Sequence, residues 1–324
     1  MLTYIIRRSI QTIITIFILS FVCYYILTLM PGDPVDIMAS SNPKITSDDI
    51  ARLRKLYGLD KPAYERYYNW LKEVAQGELG YSRMYKVPVE EVIGHRLINT
   101  FFLSMGALLI SILVAIPLGI FAALRNGKAW DYFLNFTAFA GISVPSFWLA
   151  LILILVFAVY FKALGLPAGG TETIGVHLQG IDLILDRLKY MILPMLSLTA
   201  LQMGTFVRYA RSSMLETMRM DYIRTAKAKG LDRLTIIWNH GFRNALIPLI
   251  TVVAISFSFI FSGAIITETV FAYQGVGKLV FDAIQGNDFN VAMVSFMISV
   301  AMVLFMSLIA DILYAVVDPR ISYS

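Results

Sequence analysis

The sequence predicts an all-α integral membrane protein with six transmembrane helices. Of its 324 residues, 58% are hydrophobic and only 15% are charged, and the mean hydropathy is +0.70. Since roughly a quarter of the residues in a soluble domain are charged, this composition excludes a soluble protein. The net charge of +5 does not indicate a nucleic-acid binder, which would need a basic soluble domain. Long uncharged stretches recur along the chain, and they favour helices over the alternating strands of a membrane barrel.

The first predicted helix follows Arg7 and Arg8 and stays uncharged up to Asp33. At about 20 residues it can cross the hydrocarbon layer, and it is longer than the apolar core of a signal peptide. It also lacks a small-residue cleavage site, so we predict that residues 1–30 are retained as the N-terminus and the first span. The single cysteine, Cys23, lies in this run, so the chain cannot form an internal disulfide.

Five further charge-free windows predict the remaining spans. Charged residues bound them at positions 96–125, 131–162, 189–208, 243–268 and 288–311. We therefore assign residues 31–99 to a separate segment between the first and second helices, and residues 100–324 to the transmembrane core. Within that core, residues 211–247 form a long polar connection between the fourth and fifth spans.

The distribution of basic residues predicts the orientation. Lys and Arg are concentrated before the first span, at Arg125 and Lys128 between the second and third, throughout residues 211–247, and at Arg320. Six spans place all of these positions on one side, which the positive-inside bias identifies as cytoplasmic. Both termini are then cytoplasmic, and residues 31–99 are extracytoplasmic.

The extracytoplasmic segment has helical signals. Residues 46–49 resemble a capping box and Gly58 can end the helix that follows. A second helix is predicted after Pro62 and ends at Gly77. One of its faces carries large side chains, at Tyr64, Tyr67, Tyr68, Leu71 and Val74. They can pack together or lie at the membrane interface, or they can form a contact surface for an extracytoplasmic partner.

Proline and glycine interrupt several predicted spans. Examples are Pro117, Gly119, Gly141, Pro145, Pro194, Gly204 and Gly263. Such residues can kink helices and allow close packing, or they can mark a translocation path that rearranges. The best candidates for lining a path are small or hydroxyl residues beside a kink, namely Gly141, Ser143, Pro145 and Ser146.

The sequence contains no recognisable catalytic, nucleotide-binding or metal-binding motif. Glu268 and Asp311 stand at the ends of their windows, whereas an ion-coupled carrier usually buries a carboxylate within the membrane. The Gly-Val-Gly-Lys stretch at 275–278 fails as a phosphate loop, because Ala272 and Leu279 replace residues that such a loop requires. The three histidines are scattered, which predicts no zinc site. We predict no catalytic residue, cofactor or metal, and an energy source outside this chain.

The polar connection at 211–247 is the most informative segment. Its first part, 211–232, carries apolar residues at helical intervals, namely Met214, Leu215, Met218, Tyr222, Ile223 and Ala226. Basic residues occupy other positions around the helix. Such a helix can lie on anionic lipid headgroups, or it can insert into a groove of a soluble partner. The residues alone do not separate these two interpretations.

This segment resembles the loop by which ABC-importer permeases contact their ATPase subunits. The family pattern has Glu-Ala-Ala, three residues, Gly and a later Ile-x-Leu-Pro. Here Arg-Thr-Ala at 224–226 takes the first place, Gly230 the glycine place and Pro248 the proline place. The absent glutamate and the late proline are similar to the oligopeptide/dipeptide/nickel branch. So are Met-Pro-Gly-Asp-Pro at 30–34, residues 56–62, Gly-Glu-Leu-Gly-Tyr-Ser at 77–82, Ile-Thr-Glu-Thr-Val-Phe at 266–271, Gly-Val-Gly at 275–277 and Asp-Pro-Arg at 318–320.

The resemblance implies a type I ABC-importer permease in the bacterial cytoplasmic (inner) membrane. Such a subunit would form half of a path for peptides, with nickel complexes or small glycans as alternative substrates. Its implied partners are a second homologous permease in a heterodimer, two cytoplasmic ATPases, an extracytoplasmic substrate-binding protein and membrane lipid, but no nucleic acid. The ATPase-coupling residues would be Met218, Asp221, Tyr222, Ile223, Thr225, Ala226, Lys229, Gly230 and Leu231. An ion-coupled carrier working alone, or a membrane-bound enzyme, would be functions of a different class.

Overall fold

The computed structural model describes residues 2–29, 46–56, 58–262 and 264–317, together with positions 35 and 39. In this part of the chain the regular elements are helices, and one isolated antiparallel bridge joins Tyr81 to Pro88. The sequence motifs at 30–34 and 318–320, and Gly263, lie outside the described residues.

The helices follow one another along the chain without an intervening sheet in the described residues. They are α1 Leu2–Thr28, α2 Ser47–Leu56, α3 Ala63–Ala75, α4 Val89–Leu124, α5 Ala129–Ser143, α6 Ser146–Tyr160, α7 Gly180–Met218, α8 Asp221–Ala228, α9 Arg233–Ser258, α10 Ile265–Val270, α11 Val276–Gln285 and α12 Phe289–Val317. Residues Ile154–Tyr160 of α6 and Ile236–Phe242 of α9 are π-helical, and short 3-10 helices lie at Lys162–Leu164 and Ile260–Ser262.

The predicted spans correspond to long apolar helices. Among the described residues, α1, α4, α7, α9 and α12 are each long and apolar enough to cross a membrane. The third predicted span is divided into α5 and α6, which meet at an angle of 104°. Pro145 explains the break, because proline has no N–H for the helix and disfavours helical geometry in Val144, whose ψ is 127°. Counting the bent pair as one span gives the six that the sequence predicts.

The centre of the bundle is a close pairing of α4 with α7. A Cβ placed on Gly106 would lie 2.5 Å from the Met195 side chain, and one on Gly119 would lie 2.6 Å from the Cβ of Ala210. These contacts advance in the same direction along both helices, so α4 and α7 run parallel. Between them, the Thr199 hydroxyl of α7 donates to the carbonyl of Ala107 on α4 at 3.3 Å. Small residues therefore let the two backbones approach, as they do in other membrane helix pairs.

The helix α5 packs on the other side of α7 by the same means. A Cβ on Gly204 would lie 2.4 Å from the carbonyl oxygen of Ala138, and one on Gly141 would lie 3.2 Å from that of Ala200. For Gly119, Gly141 and Gly204, close packing is thus the role that the structure shows. Pro117 and Pro194 lie within uninterrupted helices.

The segment before α4 forms the helices that its sequence predicts. The backbone N–H of Asp49 donates to the Thr46 hydroxyl at 3.3 Å, and the Thr46 N–H donates back to the Asp49 carboxylate at 3.1 Å. These two bonds confirm the capping box. On α3, the Tyr67 hydroxyl lies 2.6 Å from the hydroxyl of Ser20 on α1, and its ring packs edge-on against Phe21. Packing against α1 therefore accounts for one tyrosine of the predicted face.

The other two tyrosines of that face, Tyr64 and Tyr68, are each 67% exposed. They remain available to the membrane interface or to a partner, as the sequence predicts.

Two buried carboxylates accept hydrogen bonds from the loops at the end of the bundle where α4 begins, and so hold these loops in place. The Ser82 hydroxyl donates to Asp288 at 2.6 Å, and the Met84 N–H donates to the same oxygen at 2.9 Å. The motif at 77–82 thus folds back onto the turn before α12.

The second carboxylate, Glu268 on α10, accepts hydrogen bonds from the Thr100 hydroxyl at 2.8 Å and from the Lys278 N–H at 2.9 Å. The Gly-Val-Gly stretch at 275–277 wraps around this side chain. A Cβ on Gly275 would lie 2.4 Å from the Glu268 carboxylate, so only glycine fits there. This stretch serves to enclose a carboxylate of the same chain.

Candidate coupling surface

The segment that the sequence singles out begins where α7 ends. The helix stops at Met218, Met220 adopts an extended conformation with ψ of 152°, and α8 starts at Asp221. The stretch at 211–232 is therefore divided between two helices rather than following one helical period. Asp221 favours the new start, because a carboxylate in the first turn interacts well with the positive end of the helix dipole.

The end of α8 depends on Gly230, whose φ is +74°. The Gly230 N–H donates to the carbonyl of Lys227 at 3.0 Å, and the Leu231 N–H donates to that of Ala226 at 3.3 Å. These two bonds form a Schellman motif, which needs a left-handed residue at the glycine position. Gly230 therefore ends α8 in a conformation that favours glycine. Nothing lies within 4 Å of a Cβ built on it, so a side chain there would meet backbone strain and not a clash.

The predicted coupling residues divide into a buried and an exposed group. Ile223 is completely buried and Ala226 is 4% exposed, and both pack with Ile236 and the half-buried Met218. The remaining members are exposed, namely Asp221, Tyr222, Thr225, Lys229, Gly230 and Leu231. Of the apolar residues that the sequence places at helical intervals, Tyr222 is exposed, whereas Ile223 and Ala226 are buried against the chain itself and cannot enter a partner's groove. Helical spacing put them on one stripe, but the chain uses Ala226 to hold α8 against α9.

The anchoring of α8 continues into α9. Asp232 caps this helix by accepting the N–H of Thr235 at 3.0 Å. Hydrogen bonds from the Thr235 side chain and backbone hold the pKa of Asp232 below its ordinary value. Further along, a Cβ on Gly241 would lie 2.9 Å from the Met214 side chain, so the π-helical turn of α9 sits directly against α7. α8 is thus held in contact with both α7 and α9.

Two exposed apolar residues beside α8 were not among the predicted set. Met220 is 42% exposed and Leu234 is 67% exposed, at the two ends of the α8 region. With Tyr222 and Leu231 they give this polar segment an exposed apolar component. The sequence did offer one signal, because both are apolar residues in an otherwise polar connection. A search for helical periodicity does not detect them.

An ion pair lies next to this surface. Asp131 on α5 and Arg211 on α7 are joined by two hydrogen bonds, and Arg211 also lines a surface cavity of about 390 Å³ with Ser212, Leu215, Glu216, Arg219 and Met220. Asp131 borders one charge-free window, whereas Arg211 lies in the polar connection that follows another, so nothing in the sequence paired them.

The candidate path residues surround the break between α5 and α6. Ser143 and Pro145 are exposed, whereas Gly141 and Ser146 are half-buried. The Ser143 hydroxyl donates to the carbonyl of Phe139 at 2.9 Å. The break lies at the kink that the sequence predicts, while the contact of Gly141 with α7 places that residue toward the interior of the bundle.

Comparison with known proteins identifies the kind of protein in which this surface occurs. The family described as binding-protein-dependent transport system inner membrane component matches residues 115–323, and the family of its N-terminal part matches residues 1–104. The chain belongs to this family of transport permeases.

The permease has relatives of known name over its whole length. It is 39% identical over 324 residues to the oligopeptide transport system permease protein AppB of Bacillus subtilis strain 168, with all of both chains covered. It is 34% identical over 338 residues to the dipeptide transport system permease protein DppB of Escherichia coli K12, covering 100% of this chain and 99% of the relative. It is 32% identical over 324 residues to the glutathione transport system permease protein GsiC of Escherichia coli O6:H1 strain CFT073, with 100% of both covered.

The family assignment confirms the predicted class of fold and function. The permease is a multi-pass membrane component of an ABC transport system rather than an enzyme, and the ATPase of such a system resides in separate subunits. It acts in a complex with other subunits. An ion-coupled carrier working alone and a membrane-bound enzyme are both disfavoured.

Proposed function

We propose that the permease forms half of the translocation path of an ATP-driven peptide importer in a bacterial cytoplasmic membrane. Its partners would be a second homologous permease, two ATPases below α8, and a binding protein that delivers the peptide from the other side. The names of the relatives support peptides as the substrate, since they are permeases of oligopeptide, dipeptide and glutathione transport systems. The alignments with these relatives cover 99–100% of each chain.

The observation that carries the coupling role is the two-sided character of α8. Ile223 and Ala226 are buried against α7 and α9, while Tyr222 and Leu231 are 41% and 40% exposed. A helix that lay on lipid headgroups would direct its apolar face outward to the membrane. In α8, most of that face is instead buried by packing against other helices of the same chain. The exposed aromatic and aliphatic side chains, surrounded by Lys227 and Lys229, suit a protein partner with an apolar pocket and an acidic rim.

The transport cycle then needs no catalytic group in this chain. Closure of the ATPases would displace α8, and the buried contacts of α8 would move α7 and α9 with it. The break at Val144 and Pro145 gives α5 and α6 a point at which they can change their angle. We propose that Ser143 and Pro145, which are exposed beside that break, line the path with Ser146, and that Gly141 supports them through its contact with α7.

We propose that the α8 end and both termini are cytoplasmic and that α2 and α3 are extracytoplasmic. The test uses exposed positions in a Cys23→Ser background, because Cys23 is the only native thiol. A membrane-impermeant thiol reagent added to intact cells should label Ser47→Cys on α2 but not Ser212→Cys on α7, both of which replace exposed residues. Labelling of Ser212→Cys alone would reverse the orientation.

Reconstitution in liposomes tests the function itself. The permease alone should import nothing with ATP or with an ion gradient. Addition of the second permease, the ATPases and the binding protein should produce ATP-dependent uptake of a labelled tripeptide. A complex that imported a nickel complex or a small glycan but no peptide would contradict the proposed substrate. Gradient-driven uptake by the isolated permease would contradict the ATP-driven mechanism.

A further inference from the structure

The ion pair between Asp131 and Arg211 joins two spans through two hydrogen bonds between the same two side chains. Arg211 donates from Nε to Oδ1 of Asp131 at 2.5 Å and from Nη2 to Oδ2 at 2.8 Å. This is the two-pronged geometry that fixes the orientation of both partners. Asp131 is only 2% exposed, so solvent does not compete for its oxygens.

Further hydrogen bonds complete the environment of the pair. Asp131 also accepts the Gly127 N–H at 3.0 Å and the Asn135 side-chain amide at 2.9 Å. The guanidinium of Arg211 makes one more bond, from Nη2 to the Asn126 side-chain oxygen at 3.1 Å. The pair thus joins three parts of the chain: the turn after α4, the start of α5 and the last part of α7.

A pair of this kind is not explained by stability alone. The Asp131 side chain is buried while that of Arg211 is 24% exposed, and the cost of taking a charge out of water offsets much of the attraction in such a pair. What an ion pair with fixed geometry provides is a defined position of one helix relative to another. At this site the two helices are α5 and α7.

Those two helices connect the coupling surface to the candidate path. Arg211 lies about two helical turns before the end of α7 at Met218, and α8 starts at Asp221. From Asp131, α5 runs to the break at Val144. Between the two points, Gly204 lies against the carbonyl of Ala138. The ion pair is therefore a polar contact that holds α5 against α7 near α8.

We propose that Asp131 is a positioning residue for energy coupling, because its two bonds to Arg211 make α5 follow α7 when α8 is displaced. This inference rests on the proposed function, in which ATPases act on α8. Without the ion pair, α7 would still move with α8, but α5 and the break beside Ser143 would lag behind. Hydrolysis would then continue with less transport.

The test compares variants of the complete complex in liposomes, with uptake and ATP hydrolysis measured on the same sample. Asp131→Asn should lower the number of peptides imported per ATP by about threefold to tenfold, the range in which residues along a coupling route act. Arg211→Lys keeps the charge but loses the second prong, so it should lower this ratio less. The amount of assembled complex is measured for each variant by gel filtration, and rates are normalised to it.

The matched control is Asp311→Asn. It breaks another ion pair between two spans, in which Arg8 Nε lies 2.8 Å from Asp311, but that pair joins α1 to α12 and does not touch α7 or α8. Its ratio should equal that of the unsubstituted complex.

If Asp131→Asn and Arg211→Lys lower uptake and hydrolysis equally, with the ratio unchanged, the ion pair is only structural and the inference is overturned. An equal loss of the ratio in Asp311→Asn would overturn it too. Failure of the unsubstituted complex to import peptide would instead refute the proposed function, and the inference with it.

Discussion

Glu268 and Asp288, near the start of α4, are 0% and 2% exposed, whereas Asp221 and Tyr222 on α8 at the other end of the bundle are open to solvent. Glu268, Asp221 and Tyr222 belong to segments that resemble family motifs, and Asp288 binds Ser82 of a further such segment, yet the two ends of the bundle use these segments differently. At the α4 end, the motif side chains form hydrogen bonds within the chain. At the α8 end, they are left without a covering element. The motifs near the start of α4 therefore stabilise the fold of the permease, whereas the motif on α8 is exposed and available to another subunit.

The largest effect on stability is expected for Glu268→Ala. It removes the acceptor of the Thr100 hydroxyl and of the Lys278 N–H, both bonded to Glu268 at less than 3 Å. Two buried donors left unpaired, at about 1–3 kcal/mol each, should lower the free energy of unfolding by about 3 kcal/mol. Thermal unfolding of the detergent-solubilised permease measures this. Glu78→Ala, at an exposed position of the same end, is the control, and an equal loss in both variants would show that Glu268 is no anchor.

The next effect concerns the glycine that encloses Glu268. In Gly275→Ala the new methyl group would lie 2.4 Å from the carboxylate, and overpacking of this kind costs about 1–3 kcal/mol. Gly94→Ala is the matched control, because nothing lies within 4 Å of a Cβ at that helical position. It should stabilise α4 by about 0.5–1 kcal/mol. Opposite signs in the two unfolding measurements are expected, and a stabilising Gly275→Ala would disprove the close enclosure.

A smaller change in stability but a large change in function is expected for Gly230→Val. A residue with a Cβ costs about 1–2 kcal/mol in the left-handed conformation, and this cost falls on the end of α8. We expect normal insertion and folding, with ATP hydrolysis uncoupled from uptake. Gly230→Asn is the control, since asparagine tolerates that conformation, and it should retain coupling. Normal uptake by Gly230→Val would show that the end of α8 does not transmit movement.

The sequence contained enough information to predict the elements that depend on neighbours along the chain. Charge-free windows located the spans, Thr46 and Asp49 located a helix start, and Gly77 located a helix end. Each of these signals acts within a few residues, where the chemistry of one side chain determines the backbone beside it.

Features that depend on residues far apart could not be predicted in this way. Asp131 and Arg211 meet only because α5 folds against α7. The period of α8 showed that Ile223 and Ala226 share a face, but not that this face is covered by α9. Similarly, Pro145 predicted a kink, but no signal beside it in the sequence predicted the angle of 104° between α5 and α6.

If the exposed side of α8 binds the ATPase subunits, as we propose, the affinity of the complete permease for the purified ATPases should depend on the side chains exposed there. Tyr222→Asp should weaken binding by about tenfold or more, because exposed aromatic residues are the usual anchors of an interface. Lys227→Ala should weaken it much less and mainly slow association, as expected for a charge at the rim. Tyr64→Asp, at an exposed position on α3, should have no effect. Unchanged affinity in Tyr222→Asp, or a larger loss in Lys227→Ala, would contradict the assignment of this surface.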